Sequence, residues 1–192
     1  MKPPSSHHRR HRRRQCRRGR AAVRAFGLLS LAAGLAACSA FGEQTPQGPC
    51  PQAVVVQDAA RQIKFQSAGR DLTDVLFETR LQRAQLICEY DEEAIEATLR
   101  VRFFTARGPA DQQRQARIDY FVAIARQADL RVIAREEFSL AVPFEGNRTQ
   151  VAVTEELEPR IPIQSGQTGA DYKIFVGLAL SPAELEYNRA NR

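Results

Sequence analysis

Four cysteines, Cys16, Cys38, Cys50 and Cys88, are the most reactive side chains in this chain of 192 residues. A thiolate can be alkylated or can pair with a second sulfur. Imidazole chemistry is confined to His7, His8 and His11, with no histidine after them and no tryptophan anywhere. The usual general base and the usual nitrogen ligand for zinc are therefore missing from residue 12 onward. Asp91-Glu92-Glu93 is the densest acidic run and offers the paired carboxylates that glycoside hydrolysis uses. Neighbours in a turn, however, normally face solvent. Asp71 and Asp74 could help ligate calcium, but they lack EF-hand spacing. No Gly-rich phosphate loop, Cys/His cluster or Gly-x-Ser-x-Gly elbow is present, and Lys64 and Lys173, the lysines beyond Lys2, are in no Ser-x-x-Lys pattern. The expectation is a protein with no cofactor, no metal and no catalytic residues, a carboxylate-based hydrolase being the outlying alternative.

The four cysteines lie in different surroundings. Ten of the 28 bases precede Ala25 and no acid precedes Glu43, so from Cys38 onward 18 bases face 22 acids. The formal charge of +6 belongs to the first segment and does not argue for a nucleic-acid partner. An apolar stretch, AFGLLSLAAGLAA, runs from Ala25 to Ala37. As a helix it spans roughly 20 Å, short of the ~30 Å hydrocarbon core. A basic n-region, a short apolar core and small residues at its end form the pattern of a secretory signal peptide. Val23-Arg24 would make an n-region of ordinary length if translation began at Val23 rather than Met1. Arg17-Arg18 leads into Gly19-Arg20-Ala21, unlike a twin-arginine motif.

Leu35-Ala36-Ala37-Cys38 resembles the lipobox of bacterial lipoprotein precursors. The resemblance implies that the Cys38 thiol receives a diacylglyceryl group, that the chain is cut before it, and that the new amine is acylated. Only a thiolate is nucleophilic enough to take the lipid, and two or three acyl chains hold a membrane far more firmly than one. Residues 1–37 are then a signal peptide, and 38–49 are the lipidated Cys38 with a Gly/Pro/Gln-rich tether. Ser39 is not the aspartate that marks inner-membrane retention in enteric lipoproteins. A periplasm-facing position on the outer membrane is therefore favoured over the inner one.

In an exported domain Cys50 and Cys88 read as a disulfide, because the periplasm keeps such pairs oxidised. Closing that loop is worth roughly 4 kcal/mol on chain-entropy grounds. A redox-active pair is the alternative, but the two lack CxxC spacing and a histidine to lower a thiol pKa.

The elements that must bring them together are mostly strands. Ile95, Ala97, Leu99, Val101 and Phe103 alternate with Glu96, Thr98, Arg100 and Arg102, a period of two that specifies a half-buried strand. Upstream, Val75, Phe77 and Leu81 share a parity that slips near Ala84 to Leu86, as a β-bulge would make it do. Tyr90 to Glu93 connects the two runs as a hairpin. Residues 52–57, 117–125, 130–142, 149–157 and 171–180 are further strand candidates, and 58–65 reads as a turn or short helix. Ser181-Pro182-Ala183-Glu184 is a capping box that opens a short C-terminal helix whose Leu185 side should pack on the sheet. Asn147-Arg148-Thr149 fits a glycosylation sequon but is more simply a turn. Residues 50–192 are expected to form one periplasmic domain, an antiparallel β-sandwich of about seven strands with a short C-terminal helix.

The Cys50-Pro51 start, Asp71 to Val75, Cys88-Glu89-Tyr90, Arg107-Gly108-Pro109, Tyr120 to Ala123 and the ending Val176-Gly177-Leu178 with Tyr187-Asn188-Arg189 resemble a family of alphaproteobacterial lipoproteins without assigned activity. That resemblance implies location and no chemistry. Strand parity puts Arg80, Arg100 and Arg102 on one outward face, with Phe104 opposite the core, and an outward aromatic among arginines is a common start of a protein interface. The expected role is a membrane-anchored binding or assembly module. Its partners would be membrane lipid through Cys38 and an envelope protein meeting the arginine face. A small-ligand binder for lipid or cell-wall fragments is the alternative.

Overall fold

The computed structural model describes residues 48–67 and 70–191. Cys16, Cys38, the signal segment and tether residues 38–47 lie outside the described residues. Nine strands form, in chain order β1 (Gln52–Val55), β2 (Arg61–Phe65), β3 (Val75–Tyr90), β4 (Ala94–Arg107), β5 (Gln115–Arg126), β6 (Val132–Pro143), β7 (Gln150–Leu157), β8 (Arg160–Pro162) and β9 (Tyr172–Leu178). One helix, α1 (Pro182–Ala190), follows. The first sheet has the order β1-β9-β5-β6, the second β2-β3-β4-β7, with β8 also on β4. Together they make the expected sandwich.

The inward side chains follow from the alternation. On β4, Ile95, Leu99, Val101 and Phe103 are fully buried, and their β3 partners in register are Tyr90, Leu86, Ala84 and Leu81. Ile118 and Tyr120 of β5, with Ile174, Val176 and Leu178 of β9, fill the facing layer. The Tyr120 ring lies 4.9 Å from the Phe103 ring and stacks on Phe138 at 5.2 Å, so one aromatic column crosses from sheet to sheet. Each such side chain contributes about 1.5–3 kcal/mol through burial. Further along the inner face, the Thr79 and Thr105 hydroxyls are buried and bond each other at 3.1 Å.

Two strands were not expected. Residues 58–65 form a 3-10 turn at Gln57–Ala59 and then β2, not a helix. The alternation of β2 is inverted: Gln62 is buried on the Thr79 side, whereas Ile63 and Phe65 lie against α1 with Tyr187. β8 continues the path of β7 along β4 after Pro159, which has no amide hydrogen to extend the ladder. A further departure is β1, which pairs parallel to β9 and so makes the first sheet mixed.

Helix α1 has both halves of the Ser181/Glu184 capping box and Pro182 in its first turn. It docks on the edge strand β2 mainly through polar contacts. Glu184 accepts from Gln62 at 3.2 Å and from Lys64 at 3.4 Å, and Asn188 donates to the Asp58 and Arg61 carbonyls. The Tyr187 ring meets Phe65 edge to face. Leu185 is half-buried.

Cys50 and Cys88 form a disulfide with Cα atoms 5.7 Å apart. It ties the residue entering β1, in the first sheet, to β3, in the second. Beside it the Tyr90 hydroxyl donates to the Pro49 carbonyl at 2.8 Å and accepts from the Gly169 amide at 2.6 Å. A side chain at Gly169 would put Cβ 2.2 Å from the Pro49 oxygen, so only glycine allows this approach. Gly48 and Pro49 thus pack against Tyr90 just ahead of Cys50. Replacing Cys50 and Cys88 together by alanine should lower stability by about 4 kcal/mol, by the loop-closure relation. Urea unfolding of oxidised protein should show that loss, and a reductant should reproduce it in the native chain.

Candidate functional site

The outward face of the second sheet carries the charge. Arg80, Arg100 and Arg102 are exposed there, as parity requires, and Phe104 is half-buried among them opposite Arg80 in register. A bulge interrupts β3 between Leu81 and Arg83. Before it the outward positions of β3 are even; after it they are odd. The slip brings Arg83 onto the same face, directly across from Arg102, with Gln85 across from Arg100. On the other flank Thr154 and Glu156 of β7 stand opposite Arg102 and Arg100. Gln82, Arg83, Gln85, Arg100, Arg102 and Thr154 line a shallow cavity of 410 Å³.

Counter-charge on this face is uneven. Arg100 reaches Glu156 at 2.6 Å, with both side chains about half exposed, so the pair adds little stability. Glu78 is shared between Arg80 at 2.7 Å and Arg61 at 2.9 Å. Burial pushes the Glu78 carboxyl up, but the hydrogen bonds from Arg80 and Arg61 outweigh it and hold the group below its ordinary value. Arg83 and Arg102 have no salt bridge among the described residues, although they are cross-strand neighbours. Like charges directly opposite one another on a sheet repel. Arg83 escaped the sequence reading because the bulge changes its parity. The slip at Ala84 to Leu86 was the signal that could have found it.

A second concavity opens between the sheets, where the edge strands β6 and β7 diverge. Val122, Ile124, Phe138 and Leu157 form its apolar floor, Glu136 and Glu158 stand among its walls, and its volume is 310 Å³. Tyr120 lies behind it in the aromatic column. Burial, and after it the charge of Glu155, pushes its phenol up to about 12, so it stays a neutral hydroxyl.

The remaining candidates are scattered. Asp91, Glu92 and Glu93 are exposed in the turn between β3 and β4, where Asp91 pairs with Arg160 at 3.3 Å. Asp71 caps a 3-10 turn at Leu72–Asp74 by accepting from the Thr73 amide. Asn147 is exposed in the turn between β6 and β7. Among the described residues no group of three His, Cys, Asp or Glu side chains could hold a metal ion. No helix among them is long and apolar enough to cross a membrane. No family model, curated protein or solved structure matches this chain.

The Glu78 carboxylate gives the arginine face a pH dependence of definite sign. Its folded pKa lies below the ordinary 4.5, so the stabilisation is complete above that value and fades as pH falls through the lower folded value. Chemical denaturation at stepped pH should therefore show stability dropping below about pH 4.5. The Glu78→Gln variant should be weaker at neutral pH and lose less on acidification.

Proposed function

We propose that the chain is a lipid-anchored envelope protein, held by Cys38, whose arginine face docks an acidic surface of another envelope protein. The observation that carries this reading is the cross-strand pair Arg83 and Arg102, which makes no salt bridge among the described residues, in its shallow polar cavity. Two exposed arginines in register, with no salt bridge among the described residues, are free to pair with a carboxylate-bearing partner. Phe104, half-buried at the border of the face, supplies apolar area beside the charge. Tethering lowers the affinity such a site needs, because a membrane-held domain meets its neighbours at high effective concentration. The resemblance of Leu35 to Cys38 to a lipobox supports the anchor, and the Cys50–Cys88 disulfide suits an oxidising compartment. The outer membrane, periplasmic side, is the location this reading favours.

A small apolar ligand is the second reading, and the inter-sheet cavity over Val122, Ile124, Phe138 and Leu157 favours it. Solvent extraction of purified protein followed by mass spectrometry would reveal such a ligand as a stoichiometric lipid or cell-wall fragment.

The test is crosslinking of tagged full-length protein in cells, beside a Cys38→Ser chain and an Arg83→Glu/Arg102→Glu chain. Labelled palmitate should enter the native chain and not Cys38→Ser. One envelope protein should copurify with the native chain, fall at least several-fold with the charge reversal, and fall with loss of the anchor. Recovery of the native chain alone would overturn the docking reading. An unlabelled Cys38 would overturn the anchor.

A further inference from the structure

The end of the sandwich where the chain enters also carries most of its exposed apolar side chains. Contacts trace that end in sequence. Pro49 bonds Tyr90, Tyr90 bonds Gly169, and the Gln127 amide donates to the carbonyl of Asp171, two residues further on, at 2.7 Å. Gln127 opens the β5–β6 hairpin turn, so this turn lies at the end where Gly48 begins. Of the five large hydrophobic residues most exposed among the described residues, Ile87, Leu130, Val132 and Ile133 are at this end; Leu72 is at the other. Three of them are consecutive or nearly so at the hairpin tip, with Leu130 54%, Val132 51% and Ile133 44% exposed.

Two features of the tip are unusual for a solvent-facing turn. Leu130 holds a φ of 55°, a left-handed conformation that glycine or asparagine adopts with less strain than leucine. The tip thus combines backbone strain with an exposed apolar side chain, where a small polar residue would relieve both. Ile133 is the extra residue of a bulge, because Val132 pairs with Ala125 and Ala134 with Ile124. The tip is also flanked by cations. Lys173, Ala125 and Val132 form one row across β9, β5 and β6. Lys173 and neighbouring Arg131 make no salt bridge among the described residues, whereas Arg126 is paired with Asp129 at 2.6 Å. On the other side of the same end, the β3–β4 turn carries Asp91, Glu92 and Glu93.

We infer that the β5–β6 tip docks on the membrane surface, with Leu130, Val132 and Ile133 entering the interfacial layer and Arg131 and Lys173 meeting anionic headgroups. The inference rests on the anchored reading proposed above. Nine residues lie between Cys38 and Gly48, so ten Cα steps give a reach of at most roughly 36 Å, and about 17 Å on average were the chain flexible. A lipid on Cys38 therefore brings this end to the bilayer. The opposite end, where Leu72 lies, is further away by the length of β3, about 50 Å for its 16 residues. The acidic β3–β4 turn is repelled by the same headgroups, so the domain leans onto its β5–β6 side. Apolar insertion and basic contact act together at such an interface.

Absence of tryptophan makes the test clean, since Ile133→Trp and Leu72→Trp each create a single tryptophan, excited selectively to the red of the four tyrosines. Full-length lipidated protein is reconstituted in phosphatidylglycerol/phosphatidylethanolamine vesicles, and a Val132→Trp chain guards against a local fault at 133. Cosedimentation of native and Cys38→Ser chains reads the anchor separately. For docking, emission from position 133 should shift to the blue and be quenched several-fold more by brominated acyl chains than emission from position 72. Adding Arg131→Glu and Lys173→Glu should abolish that difference while the chain remains anchored. If the anchored chain shows the same aqueous-quencher access at 133, 132 and 72, docking is overturned and the anchor stands. Shielding at 133 without quenching by brominated lipid would mean a second copy of the chain covers the tip, which also overturns docking. A chain that never cosediments removes both.

Discussion

The covalent clamp between Cys50 and Cys88 is the constraint from which the architecture unfolds. It joins the two sheets at the end where the chain enters, and Tyr90 reinforces it with hydrogen bonds to Pro49 and Gly169. With Cys50 held against β3, the next residues have one place to go: along β9, parallel to it, as the edge of the first sheet. The segment from Val56 to Ala60 then crosses to the second sheet, bonding Val176 on one side and Leu81 on the other. One flank of the sandwich is thereby laced shut. The opposite flank is joined at one end by the turn from β6 to β7 and opens at the other, where the core floor shows through. The asymmetry between a closed and a more open flank follows from where Pro49 and Cys50 are pinned.

The bulge at Gln82 has comparable reach on the outer surface. A one-residue shift exchanges inner and outer positions for the rest of a strand. In β3 it keeps Leu81, Ala84 and Leu86 facing inward despite their mixed parity, and turns Arg83 and Gln85 outward. Core continuity and the arginine cluster are thus two results of one irregularity. Within the cluster Arg80 and Arg100 are paired with Glu78 and Glu156, and Arg83 and Arg102 make no salt bridge among the described residues.

Much of this could be read from residues alone, for physical reasons that also explain what could not. The alternation from Ile95 to Phe103 is legible because β4 is central, buried on one face and charged on the other. Helix α1 announces itself through Ser181, Pro182 and Glu184, whose roles are local. β2 is opaque because its polar residues Gln62 and Lys64 share the face of Thr79 and Phe77, while its apolar ones are covered by α1, an arrangement set by tertiary packing. β8 is three residues long and follows a proline, too short for any periodicity. The arginine face was found through Arg80, Arg100 and Arg102, and Arg83 was hidden by the bulge. The strained Leu130 was invisible because nothing in its neighbours encodes a left-handed leucine.

The open flank has a further consequence, for how copies of this protein coexist. β6 and β7 each leave one side of the backbone ladder unpaired, and an unpaired ladder beside an apolar floor is a template onto which a stray strand can add. Inward-facing carboxylates stand guard on both lips. Glu136 is opposite Val122 on β6, and Glu155 is opposite Val101 on β7. A strand joining either edge would have to bury those charges or expel them. On the proposed anchor, molecules confined to a surface would collide far more often than molecules in bulk, and this protection against edge-to-edge aggregation would be most valuable there.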